Sequence, residues 1–95
     1  MQIEYADSGL RALCEGSQPA PTSMSPAASR ALRRRIETLA AAADVADLRA
    51  LKSFGLSEFG SEPSRVTVTE GVTLTIELDE GPPPSAVVQS VSHNT

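Results

Sequence analysis

Large aromatic side chains are nearly missing from this sequence, which has one Tyr, two Phe and no Trp in 95 residues. The chain therefore lacks anchors for stacking bases or sugars, and its core must be aliphatic, built from Leu, Val, Ile and Ala. Cysteine occurs once, as Cys14. A single thiol excludes an intrachain disulfide and a thiolate zinc site, and it points to a reducing compartment. Long apolar runs are absent too: the longest stretch of small or apolar residues is 39–43, far too short to cross a bilayer. The first ten residues carry acids and no apolar run, unlike a secretory signal. The expected location is cytoplasmic.

Positive charge is scarce and gathered in one place. The formal net charge is −4, from eight Lys and Arg against twelve Asp and Glu. Six of the cations (Arg30, Arg33, Arg34, Arg35, Arg49 and Lys52) fall within residues 30–52. Beyond them, residues 53–95 set Arg65 alone against Glu58, Glu62, Glu70, Glu77, Asp79 and Glu80. Binding a polyphosphate requires a field of positive charge, and most of this surface repels RNA or DNA. The expected partner is a protein, and a basic one suits the acidic strip. That strip would mimic nucleic acid to such a partner, or simply keep an aliphatic sheet soluble.

A chain of this length makes one domain with a modest core, taken here as residues 1–95. Met1, Ile3 and Tyr5 alternate as in a short strand. Asp7 is a helix N-cap, followed at helical spacing by Leu10, Leu13 and Cys14, with Gly16 at the C-cap position. Residues 17–25 are rich in Pro and Ser and without period, which predicts a flexible loop. Ser25-Pro26 then opens a long helix, with Leu32, Ile36, Leu39 and Ala43 along one face. Asp44 caps a short second piece carrying Val45, Leu48 and Leu51. Residues 54–64 hold two glycines and a proline and are expected to be irregular.

After that the period changes from 3.6 to 2. Val66 and Val68, a turn at Glu70-Gly71, and Val72, Leu74, Ile76 and Leu78 make a β-hairpin with one buried and one solvated face. Gly81 and three prolines interrupt it. Residues 86–91 form a last strand, and 92–95 a loose tail. The fold class is α+β, with order β-α-α-β-β-β and two N-terminal helices packed on a mainly antiparallel sheet.

This order and several local strings resemble the RelE/ParE superfamily of bacterial toxins, within it the HigB-like branch. The strings are Ile3-Glu4-Tyr5, the basic helix Arg30-Ala31-Leu32-Arg33-Arg34-Arg35-Ile36, Asp47-Leu48-Arg49-Ala50-Leu51, the hairpin, and a closing strand that ends near His93. The resemblance implies a RelE-like fold and a type II toxin–antitoxin setting. It also implies a metal-independent endoribonuclease that cuts messenger RNA on the ribosome and is neutralised by an antitoxin. The expected chemistry is attack of a ribose 2′-hydroxyl on the adjacent phosphate, which needs a base, cations around the developing charge and a proton donor. Here the family's loop His falls on Ser57 and its Lys on Gly60. Its strand Arg falls on Thr73, and its terminal Tyr-His on Ser92-His93. The polar catalytic set is largely missing.

The reading that follows is a degenerate nuclease site on a protein that acts by binding an antitoxin, or by inhibiting a nucleic-acid-handling complex in the manner of a phage-encoded inhibitor. The alternative is a working ribosome-dependent messenger-RNA endonuclease using His93 with Arg49, Lys52 or Arg65; a non-toxic relic is the third reading. The catalytic candidates are therefore His93 and Arg65, with His93 equally readable as a solvated tail residue. The partner-binding candidates are Arg30, Arg33, Arg34, Glu70, Glu77, Asp79 and Glu80. Successive helical residues point about 100° apart, so Arg33, Arg34 and Arg35 cannot share one face, and one of them must lie along the core. Cys14 reads as a small core residue. Glu77 and Asp79 share a strand face but make a poor metal pair without further ligands. No metal or other cofactor is expected, and a homodimer is the partner state kept beside the protein complex.

Overall fold

The computed structural model describes residues 1–15, 25–60, 62–69 and 71–93, with the backbone alone for Phe59 and His93. Residues 17–24 of the loop predicted at 17–25, the Gly16 cap, the Glu70 half of the turn and the tail residues 94–95 lie outside the described residues.

Strand β1 (Gln2–Tyr5) leads into helix α1 (Ser8–Glu15). There the Leu10 amide donates to Asp7 Oδ1 at 2.8 Å, as an N-cap should. Helix α2 (Pro26–Ala41) starts at Ser25, whose hydroxyl oxygen accepts from the Ala28 amide, with proline in the first turn. Its buried stripe is Ala28, Leu32, Ile36 and Leu39. At its far end the Met1 ammonium donates to the carbonyls of Ala40 and Ala42, at 3.0 and 2.7 Å. A cation on unsatisfied terminal carbonyls is favourable at a helix C-terminus.

Asp44 and Asp47 then cap α3 (Val45–Ala50) reciprocally. The Asp47 amide donates to Asp44 Oδ1, and the Ala43 amide to Asp47 Oδ2. Val45 and Leu48 are buried, but Leu51 lies past the helix and is 42% exposed, against the expectation that α3 would carry it inward.

One five-stranded sheet follows, in the order β1-β5-β4-β3-β2, where β2 is Leu56–Phe59, β3 Glu62–Thr69, β4 Val72–Asp79 and β5 Ser85–His93. Three of its four pairings are antiparallel and β1 lies parallel to β5. The class is α+β, as expected, but the described residues form three helices rather than two and one strand more.

The third helix, α3, is the short piece expected after Asp44; the added strand falls in the stretch expected to be irregular, where β2 and the first residues of β3 follow a 3-10 turn at Lys52–Phe54. Gly55 makes the junction. Its φ is +78°, and a Cβ there would stand 2.9 Å from the Thr67 carbonyl oxygen. Only glycine allows that approach, which lets the Thr67 amide donate to the Gly55 carbonyl at 3.0 Å. The last strand also runs two residues beyond expectation, because Ser92 and His93 pair with Thr73 and Val72 instead of fraying.

The core lies between the sheet and the helices. Val66, Leu74, Ile76 and Val88 come from the strands, Leu32, Leu39 and Leu48 from the helices, and Phe54 from the 3-10 turn. Met1, Ile3 and Tyr5 pack against it from β1, as their alternation implies. Among the described residues, no helix is long and apolar enough to cross a membrane.

Candidate functional site

Strand alternation puts every second residue of β4 on the side away from the helices. The register extends that side into rows across the sheet. One row is Gln2, Ser85 and Asp79; the next is Glu4, Val87 and Glu77. Ser57, Arg65, Thr75 and Ser90 form a third, and Thr67, Thr73 and Ser92 a fourth. This face is mainly hydroxyl-bearing, with three carboxylates at the β1 end and Arg65 toward the other. Glu77 is partly occupied, as its Oε2 accepts from Gln89 Nε2 at 3.0 Å. Asp79 Oδ1 accepts from the Gly81 amide and shapes the turn after β4.

The partner-binding candidates divide between two opposite sides of the molecule. Glu77 and Asp79 stand on the uncovered sheet face. Arg30, Arg33 and Arg34 are exposed on α2, opposite its buried stripe. Arg35, the third arginine of the run, is half-buried and serves structure: its Nε and Nη2 donate to the carbonyls of Thr67 and Val68, at 3.3 and 3.4 Å. Those carbonyls lie at the β3 bulge, past the last pairing of β2 at Leu56 and Val66. Glu70 falls outside the described residues.

Glu80 follows β4 and meets α3. Arg49 Nη1 donates to Glu80 Oε1 at 3.1 Å, while Arg49 Nε donates to both oxygens of Glu58 on β2, at 3.1 and 3.3 Å. The hydrogen bond and charge of Glu58, and then those of Glu80, hold the Arg49 guanidinium pKa above its ordinary value. This pair borders an open cleft of about 490 Å³ whose charged lining is Arg49 with Glu58, Glu62, Glu77 and Glu80. Four carboxylates against one guanidinium leave the cleft acidic, and its cation already donates to two of them. The sequence set Glu58 in the acidic strip, but its bond to Arg49 was not legible there. Nine residues separate them, and only the unexpected strand β2 brings them together.

The two catalytic candidates are not brought together. His93 pairs with Val72 at one end of β4, and Arg65 pairs with Thr75 three residues along it. The two β4 positions have opposite parity, and β4 runs between the strands that carry the candidates. The positions that resemblance assigns to nuclease groups are scattered likewise, with Ser57 opposite Arg65, Thr73 opposite Ser92, and Gly60 in the turn after β2.

Cys14 is 1% exposed in the core cluster, where burial pushes its thiol up to about 11, with Glu15 adding to the rise. Such a thiol is a poor nucleophile at neutral pH. Burial also raises the Tyr5 phenol, helped by Cys14 and Glu15 and opposed by Arg11. Among the described residues, no group of three or more His, Cys, Asp and Glu side chains is placed to hold a metal ion. Compared with protein-family models, with curated proteins and with solved structures, the chain matches none.

Proposed function

We propose that this chain is a binding protein on a RelE/HigB-like framework that lacks the nuclease groups. It acts by gripping a protein partner, either an antitoxin or a nucleic-acid-handling complex that it inhibits. Support for the framework is coarse: an α+β domain with its helices on one side of a mainly antiparallel sheet, and its first strand beside its last. Support for binding over catalysis comes from one observation above all. Arg49, the cation nearest the cleft beside the hairpin, is tied by Glu58 and Glu80, and the cleft around it is acid-lined.

Stabilising a phosphorane requires cations aimed at the developing charge, and each one lost costs a few kcal/mol. An arginine already shared by two carboxylates, with two more lining the cleft, offers the opposite field. The same acids, with Glu4 and Asp79 beside Glu77 on the sheet, suit a partner that presents Lys and Arg. Electrostatic pairing of this kind mainly sets partner choice and association rate.

Purification of the tagged chain from its native cells tests the reading. A stoichiometric protein partner that is retained by the wild type and lost from Glu77→Lys/Asp79→Lys is the expected outcome. A chain that comes out alone at every salt concentration contradicts it.

A further inference from the structure

We propose that the chain stacks head to tail on a second copy of itself, the arginine face of α2 in one copy meeting the acidic sheet face of the next. The inference rests on reading the chain as a binding protein, and it names one partner.

Helical geometry puts Arg30, Arg33 and Arg34 within an arc of about 100°, the arc opposite Leu32 and Leu39. All three are exposed, and none meets a carboxylate among the described residues. Glu37 lies one turn beyond Arg33 on the same side without pairing to it. Across the molecule, Glu4 and Glu77 share one row of the uncovered face with Val87 between them, and Asp79 lies in the adjoining row beside Ser85. The sheet stands between the two charged sides, so one copy cannot neutralise its own charges. Two copies in a row can.

The contact is heterologous, since each copy uses a different surface. A pair leaves an arginine face open at one end and an acidic face at the other, and assembly continues to a ring or a filament. Exposed ion pairs are individually weak and salt-screened, so association belongs to low ionic strength and high concentration.

Sedimentation of the full chain at low and high salt tests this with three proteins: the wild type, Arg33→Glu/Arg34→Glu, and Glu77→Lys/Asp79→Lys. The changes are on exposed side chains, and circular dichroism checks that the fold survives the loss of the bonds Asp79 and Glu77 accept from the Gly81 amide and Gln89. The wild type should associate at low salt and dissociate as salt rises, with a dissociation constant at least about tenfold weaker in either variant. In each variant alone the excess charge on the two faces has the same sign, so it stays monomeric at concentrations where the wild type associates; mixed, the two present complementary faces again and associate.

A wild type that sediments as a monomer up to the millimolar range overturns the inference, as do variants that associate unmixed or fail to associate when mixed. A monomeric wild type that still captures a basic protein through Glu77 and Asp79 removes this inference and leaves the binding function standing.

Discussion

Arg49 on α3 and Glu58 on β2 are joined by two contacts from a single nitrogen, at 3.1 and 3.3 Å. With Glu80 accepting from Nη1 of the same guanidinium, they tie three peripheral pieces: the short helix, the edge strand and the chain leaving β4. Strand β2 is only four residues long, and its pairing with β3 is broken by a bulge. Arg49→Ala should therefore loosen β2 locally and leave the central strands intact. Hydrogen exchange checks this: the amides of Leu56 and Ser57 should exchange faster in the variant, and in high salt in the wild type, while Leu74 and Ile76 keep their protection. Equal acceleration along β4 would mean that the tie matters to the whole sheet.

The arginine run divides by role. Arg35→Met keeps an apolar stem along the core but releases the carbonyls of Thr67 and Val68. It should cost about 1 kcal/mol in urea unfolding. Arg33→Met, on the exposed face, should stay within about 0.5 kcal/mol of the wild type. Equal costs would deny Arg35 its bracing role.

Cys14 gives a pH dependence of definite sign. Its thiol ionises near 9.0 when unfolded and near 11 when folded. Between those values the folded state holds more protons, so stability falls as pH rises from about 9 toward 11. The raised Tyr5 phenol acts in the same direction. Cys14→Ala isolates the thiol: thermal melts at several pH values should show a shallower loss in the variant across that interval. In the native wild type, thiol reagents at pH 8 should react much more slowly than in the urea-unfolded chain.

Leu74 has no solvent exposure and sits in the middle strand of the sheet. Leu74→Ala should cost about 2–5 kcal/mol, a large share of the stability of a domain this size. Leu51→Ala, at 42% exposure, should cost much less. Urea midpoints of the two variants make the comparison.

The sequence announced what local chemistry controls. Asp7, Ser25-Pro26 and Asp44 marked helix starts because their caps bond within three residues. The alternation from Val66 to Leu78 marked a hairpin because one face is buried. Strand β2 escaped because its pairing is made by tertiary contact. Gly55, Gly60 and Pro63 punctuate the stretch, and of the four residues of β2 Leu56 stands opposite core Val66. The place of β1 beside β5 escaped for the same reason, since more than eighty residues separate Gln2 from Ser85. That distance hid Glu4 as a neighbour of the Glu77 row. Charge was legible as composition, but its division into two opposite faces emerged only with the register.

The most direct test of binding without catalysis is induced expression of the wild type and His93→Ala in bacteria, following growth and mapping the ends of ribosome-bound messenger RNA. Normal growth with intact messages from both proteins is the predicted result. Growth arrest with cleavage in the ribosomal A site, abolished by His93→Ala, would make the chain an active ribonuclease and contradict the account.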